Sequence, residues 1–461
     1  LPEDLLIKGY INNLILSIHD ALQFKADFED LSLELNELFI SGLEGNIQYY
    51  PDIYSLNINT PYLQVNLGTL FDSPLIFNDL SSELDVKLID KKVSISDSAF
   101  HATYKSNLIK GQVNLYPSPI DNSGDLSIKI DSSELDHLDA LNLFPNLNYT
   151  RLTKTWLQDS ISCGVLQDVL FLYRGPIDNQ YNDSSSSFLS KGLLKDSCFN
   201  INDVSLTSVD LVGKINNSIF LGEVLDGDLY GSEIEGTIRT FKNNDSYKLE
   251  LKGNSKGPFL TILRLSNLTH LFDASEESGE HSTNFYFVSP LGSSFRLLGD
   301  KTDLELISKI KDGNFKNTNT GLFFSDLYSS LEYDSSYGVK DGFASIKING
   351  TPVKFDIRKG KENGIYNTQL VANDIFSVKK ILSTLAIKEE LRGSSRFKIK
   401  LTLPSFIKQE PFIDPEIEVL SNLVGISVNL SDPFVKPVDS IVDFRLTYKS
   451  FLNKPPQLGF K

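Results

Sequence analysis

The stretch "SELDVKLI", Ser82 to Ile89, puts Leu84, Val86 and Leu88 on one side and Glu83, Asp85 and Lys87 on the other. Side chains alternate across a strand, so a period of two reads as a strand with one apolar and one wet face. The pattern returns in "DLSIKID" (125–131), with Leu126, Ile128 and Ile130, and in "YKLELKG" (247–253), with Leu249 and Leu251. It returns again in "ASIKING" (344–350; Ile346, Ile348), "RFKIKLTL" (396–403; Phe397, Ile399, Leu401) and "GISVNLS" (425–431). Strict alternation of this kind belongs to antiparallel sheets. Turn chemistry separates the runs, as in "KDG" at 311–313 and 340–342, "NNDS" at 243–246 and "YNDSSSS" at 181–187.

Helical spacing is confined to three places. The first is Leu135 to Ile161, broken at Pro145, and the second is "GPFLTILRLSNLTHLFDA" (257–274). The third is "NDIFSVKKILSTLAIKEELRGSS" (373–395), with Asp374 read as an N-cap and Gly393 as the stop. Asp-Leu with an apolar residue four further on occurs at Asp79, Asp210 and Asp326, the last two 116 residues apart. Two markers in step predict a module of about 120 residues. The chain divides accordingly into a β segment (1–134) and three helix-plus-β modules, 135–256, 257–372 and 373–461, sharing one continuous sheet. Their helices are expected over about 135–163, 257–272 and 374–392.

The 461 residues carry a net charge of −16, spread along the chain. A diffuse negative field without a basic, aromatic-laced patch argues against nucleic acid. No run approaches the ~18 apolar residues of a membrane-crossing helix. The N-terminus does not resemble a signal peptide and the chain holds no methionine, so it reads as an internal fragment. Cys163 and Cys198 form no metal-like group, and a disulfide between them is allowed but not required.

No catalytic constellation appears, and no cofactor or metal is expected. None of the five histidines stands at ligand spacing from another. His137, between Asp136 and Asp139, reads as a solvated helix start, and "DGD" (226–228) as a hairpin turn. What remains is the apolar sheet face. It is either the dry core of a sandwich or the floor of a gutter that binds acyl chains, which need apolar width and no specific polar partner.

Residues 63–236 resemble the YhdP-like branch of the AsmA-like family of Gram-negative bacteria. The resemblance is carried by "TLFDSPLIFNDLSSELDVKL" (69–88) and by "LDALNLFPNLNYTRLTKTWLQDSISCGVLQDVLFLYRGP" (138–176), where Leu157 follows Trp156. "GPFLTILRLSNLTHL" (257–271), "IKING" (346–350) and "LRGSSRFKIKLTLP" (391–404) resemble elements of successive family modules. It implies a mainly β fold: an elongated antiparallel sheet curled into an open apolar groove, repeat-built, with short helices at module boundaries. It also implies a periplasmic lipid-transfer bridge anchored in the inner membrane by a helix outside this sequence. Phospholipid acyl chains would then be its partners, with membrane proteins at the two ends of the full-length chain. The rival is a structural or interaction scaffold of β-repeats acting in outer-membrane assembly or adhesion, and no enzyme is expected.

On this reading Leu84, Val86, Leu88, Leu126, Ile128, Ile130, Leu249, Leu251, Ile346, Ile348, Phe397, Ile399 and Leu401 face the groove. Some 25 to 35 strands of about five to seven residues would give a rod on the order of 120–170 Å long. Each strand would offer about 20 Å of width. Trp156, with Leu152, Leu157 and Ile161, gives the first helix an apolar face, and Gly164 reads as its stop. These are structural anchors that seat a helix on the rim.

Overall fold

In the computed structural model, the described residues are 6–18, 22–35, 38–89, 92–117, 124–176, 186–201, 204–244, 246–265, 277–290, 303–316, 323–335, 338–362, 364–377, 391–404, 415–429, 435–449 and 457–460. They form 25 strands, two α-helices in tandem, a third short helix and one 3-10 turn. The first strands are β1 (Leu6–Ile18), β2 (Leu22–Leu35), β3 (Leu38–Tyr50) and β4 (Ile53–Leu67). After a 3-10 turn (Gly68–Leu70) come β5 (Leu75–Ile89), β6 (Lys92–Tyr104), β7 (Asn107–Pro117) and β8 (Gly124–Asp136). The helices α1 (His137–Asn142) and α2 (Asn148–Ser160) follow.

Next are β9 (Ile161–Pro176), β10 (Ser187–Ile201), β11 (Val204–Asn216), β12 (Ile219–Leu229), β13 (Ser232–Asn243) and β14 (Ser246–Pro258). Beyond α3 (Leu260–Leu265) lie β15 (Ser278–Pro290), β16 (Asp303–Lys316), β17 (Phe323–Asp334), β18 (Gly338–Ile348) and β19 (Thr351–Glu362). The chain continues with β20 (Ile365–Ser377), β21 (Leu391–Pro404), β22 (Glu416–Ser421), β23 (Ile426–Val428), β24 (Phe444–Lys449) and β25 (Gln457–Phe460).

Each strand from β1 to β21 pairs antiparallel with the next, for example Leu84 with Leu56 and Ile128 with Val113. The order is then β22–β24–β25, while β23 pairs with the start of β21. The product is one meander whose strands run alternately between two rims. The near rim carries the 3-10 turn, α1, α2 and α3; the far rim carries the Asn217–Ser218 turn. The three module boundaries fall inside β8, β14 and β20, and the sheet runs unbroken through them.

Strands β1 to β21 are 11 to 16 residues long, twice the length expected from sequence. In many of these strands the difference has one physical cause. Asn13, Asp30, Asp79, Asp168, Asp196, Ser208, Asp312 and Asp326 lie inside strands with φ between 47° and 53°. The ladders slip register beside them, for example between Asn78 and Ser81 and between Ile310 and Gly313. These are β-bulges, which bend a strand and raise its twist, and short polar side chains tolerate the left-handed conformation they require. "KDG" at 311–313 and "DGD" at 226–228 are therefore irregular strand, not turns. "KDG" at 340–342 is also strand, within β18.

A flat strand of 13 residues would separate the rims by about 45 Å. Adjacent residues of α2 nevertheless touch both. Lys154 Nζ donates to Asp72 Oδ2 at 2.6 Å on the near rim, and Thr153 Oγ1 donates to the Ser218 carbonyl at 2.9 Å on the far rim. The sheet is curled into a groove here, with α2 across its mouth. The chain exposes 26009 Å², against about 17,000 Å² for a compact chain of this mass. That excess fits an elongated open form.

Two expected helix ends are corrected. Asp374 is not an N-cap but part of β20, opposite Phe397 on β21. Gly393 is within β21, at φ 105°, where its partner is Ile426. Residues 378–390 of that expected helix lie outside the described residues, as do 266–272 of the second.

Candidate functional site

The curled face holds two apolar clusters. The first runs from Phe28 to Leu249 and includes α1 and α2; the second runs from Phe259 to Ile426. Leu251 on β14 packs against both, so the apolar lining continues from one into the other.

The sequence-predicted groove residues divide as follows. Leu126, Ile130 and Leu249 are buried in the first cluster, with half-buried Leu84, Ile128 and Leu251 packed on it. Ile346 and Phe397 are buried in the second, with half-buried Ile348 and Ile399 beside them. Val86, Leu88 and Leu401 join neither cluster; Val86 and Leu401 are half-buried, and Leu88 is 40% exposed. Aromatic residues of the same parity, which the short sequence runs did not include, complete the lining. Phe171 and Phe188 pack on Phe144 of the helix connection at 5.7 and 5.1 Å between ring centroids. The signal for Phe171 was the apolar run of β9, which alternates beyond any single motif, while Phe188 stands at the start of β10.

The helix pair is held from several sides. Pro145 breaks the helix, and Thr150 Oγ1 binds the turn by donating to the Pro145 carbonyl and accepting from Leu147 N–H. Lys154 is buried, and its ammonium has three acceptors: Asp72, the Phe144 carbonyl and Asn146 Oδ1. The bond from Lys154 holds the Asp72 carboxyl below its ordinary value of 3.8. Trp156 is 6% exposed, and its ring stands 5.6 Å from that of Phe220, while Leu157 is buried beside it.

Gly164 is not the helix stop. The helix ends at Ser160, and Gly164 lies in β9 at φ 127°. A Cβ there would stand 2.8 Å from Ser197 Cβ, so close strand approach explains the glycine. Its carbonyl receives His137 Nδ1 at 3.1 Å. His137 is accordingly buried and not solvated, while Asp136 caps α1 through Leu138 N–H. Cys163 and Cys198 face each other across β9 and β10 and are disulfide-bonded.

Beneath α1 and α2 lies a cavity of about 60 Å³ lined by Leu141, Phe144, Leu157, Phe199, Leu211 and Phe220 among others. Its walls are mainly apolar, with His137, Ser190 and Lys191 also among the lining residues.

Polar groups form a separate chain inside β13, β15 and β16. Ser232 Oγ lies 2.9 Å from His281 Nε2 and 2.7 Å from Thr261 Oγ1. His281 Nδ1 meets Thr283 Oγ1 at 3.1 Å, and that hydroxyl meets Ser308 Oγ at 2.9 Å. Burial lowers the His281 pKa, favouring the neutral ring. Ser232 is wholly buried and, among the described residues, no carboxylate bonds to the ring, so the chain satisfies buried polar groups. Among the described residues no cluster of three His, Cys, Asp or Glu is placed to hold a metal.

The outer face is charged. Arg239 Nε and Glu250 Oε1 are 2.6 Å apart, and Tyr286 also donates to Glu250. Asp210 accepts from Asp196 N–H and pairs with Lys195, holding its own carboxyl below the usual range while bracing a bulge.

No curated protein and no solved structure matches the chain. A family model described as YhdP protein matches residues 3–460, from β1 to the last strand. A single antiparallel sheet curled over an apolar lining and matched along its length places this chain in the YhdP protein family.

Proposed function

We propose that the chain is a lipid-conducting segment of a periplasm-spanning transfer protein. In this reading its groove shields phospholipid acyl chains between the inner and outer membranes. The observation that carries the proposal is the joining of two apolar clusters through Leu251 into one lining. Burying one methylene contributes about 0.8 kcal/mol, so an acyl chain is held along its length. Neighbouring rungs are chemically alike, so sliding exchanges equivalent contacts at little net cost. Headgroups remain in water along the mouth.

The work is physical, with no bond made or broken, and the chain acts without a cofactor. The Cys163–Cys198 disulfide supports a periplasmic setting, since such bonds persist in oxidising compartments. In the full-length protein, an anchoring helix and partner proteins at the two membranes complete the bridge.

The test places a photo-crosslinker at half-buried Ile128 or at exposed Lys129, in the protein purified from cells. Lipid labelling at Ile128 well above Lys129 is expected, along with phospholipid in an organic extract. Equal labelling, or no lipid at all, would instead favour a filled structural scaffold.

A further inference from the structure

Helix α2 joins the sheet with no loop between them: it ends at Ser160 and β9 begins at Ile161. The first residues of β9, 161–164, lack a neighbour on one side. The β8–β9 ladder ends at Asp136 and Val165, because β8 gives way there to α1. On the β10 side the ladder loses its regular register over the same residues, passing from Lys195–Val165 to Cys198–Cys163 to Phe199–Ile161. Asp196 at φ 47° and Gly164 at φ 127° mark the break.

Beyond those ladder pairs, side chains and one covalent bond hold this connector. His137 Nδ1 meets the Gly164 carbonyl at 3.1 Å from the α1 side, and Asn200 Nδ2 donates to Ser162 Oγ at 3.1 Å. The Cys163–Cys198 disulfide ties it to β10. That bond stands on the outer face. Ser197 and Phe199 on either side of Cys198 are buried, so the cysteine between them points the other way, and both cysteines are only half-buried. A reagent therefore reaches the bond from outside, without entering the groove that α2 crosses.

We propose that the Cys163–Cys198 bond is a redox latch on the root of α2, opened from the outer face by a partner that carries a dithiol. A partner thiolate attacks one sulfur, the Cys163–Cys198 bond breaks, and the released cysteine leaves as a thiolate that takes a proton from water. The partner's second thiolate then attacks its own half of the mixed disulfide and frees the other cysteine, which is protonated likewise. Two electrons pass to the protein, which ends with two thiols, and the partner ends as a disulfide. With the bond open, residues 161–164 keep only ladder pairs and two side-chain bonds, so the C-terminal turns of α2 lift more often from the sheet. Lys154 and Thr153 still hold the middle of the helix, and the clasp loosens from one end. The latch does not depend on what the groove carries.

The intact chain, without denaturant, is mixed with reduced thioredoxin whose resolving cysteine is replaced by serine, which traps the mixed disulfide. An adduct at Cys163 or Cys198 is expected, and none until denaturant is added would overturn the latch. Hydrogen exchange of the chain reduced with dithiothreitol then reads the consequence. Amides of 148–164 are expected to exchange about tenfold faster than any rise in β11 to β13 accounts for. A bond that only restricts the unfolded chain raises α2 no more than those strands, so an equal rise, or none, would overturn the proposal.

Protection is expected to return on reoxidation, and a permanent loss would overturn the latch as well. Cys163→Ser with Cys198→Ser is expected to show the loosened pattern without any dithiol and no response to one. A protected α2 in that variant, once folded, would count against the latch. Should the variant not fold, exchange in the reduced wild-type chain decides alone.

Discussion

Two helical inserts leave the same rim of the sheet and, among the described residues, are held differently. The α1–α2 pair crosses the mouth and is bonded to both rims, through Asp72 on one side and Ser218 on the other. Among the described residues α3 stays at its own rim, where Thr261 meets Ser232 and the Tyr230 carbonyl, and Phe259 packs on Phe315. Both inserts bury apolar residues, so burial alone does not close a groove. Closure at the first insert comes from two neighbouring polar side chains that find partners 65 and 82 residues away.

The largest break in that contrast is expected from Trp156→Ala. Removing a buried indole costs about 3–5 kcal/mol through lost transfer energy and the void left behind. Denaturant unfolding reads the loss. Hydrogen exchange is expected to show β8 to β12 falling to the protection of β17 to β20. An unchanged midpoint would mean that the helix pair is not seated by this ring.

A smaller loss is expected from Cys163→Ser with Cys198→Ser. The bond joins residues 35 apart where the β9–β10 ladder slips register twice, between Lys195 and Cys198 and again before Phe199. Restricting the unfolded chain over such a loop contributes ~2–4 kcal/mol. Reductant is expected to destabilise the first cluster and leave the second unmoved, since the chain holds no other cysteine. Equal loss in both halves would show that they unfold as one unit.

Alternation made the sheet and its dry face legible, down to Ile128 facing in and Lys129 facing out. Strand length was hidden, because Asp and Gly inside a bulge carry the same signature as Asp and Gly in a turn. The Asp-Leu spacing illustrates this. Asp79 and Asp326 sit at bulges, and Asp210 braces one, so the marker records where the sheet bends. The expected helix at Asp374 lost its first turn to the ladder of β20, where tertiary pairing overrides local spacing. Trp156 announced a helix face, yet the rim-to-rim bonds of Thr153 and Lys154 were invisible, because their partners are remote in the chain.

The smallest effect, and the most specific, concerns pH. Lys154 keeps the Asp72 carboxyl below 3.8 in the folded protein, chiefly through their hydrogen bond. A depressed carboxylate contributes stability that is complete above its unfolded value and fades as pH falls through the folded one. The clasp should therefore hold through pH 4 and weaken only further down. Asp72 is largely exposed, so solvent screens the pair and the contribution to global stability is small. The stability difference between wild type and Asp72→Asn is expected to be constant from neutral pH to about 5, then to shrink below the ordinary carboxylate value. A parallel experiment with Glu250→Gln, whose carboxyl is likewise lowered by Arg239 but lies on the outer face, is expected to leave Trp156 emission unchanged. If Asp72→Asn leaves that emission unchanged at neutral pH too, the ion pair does not hold α2 across the mouth, and the bond from Thr153 to Ser218 must hold the far rim without it.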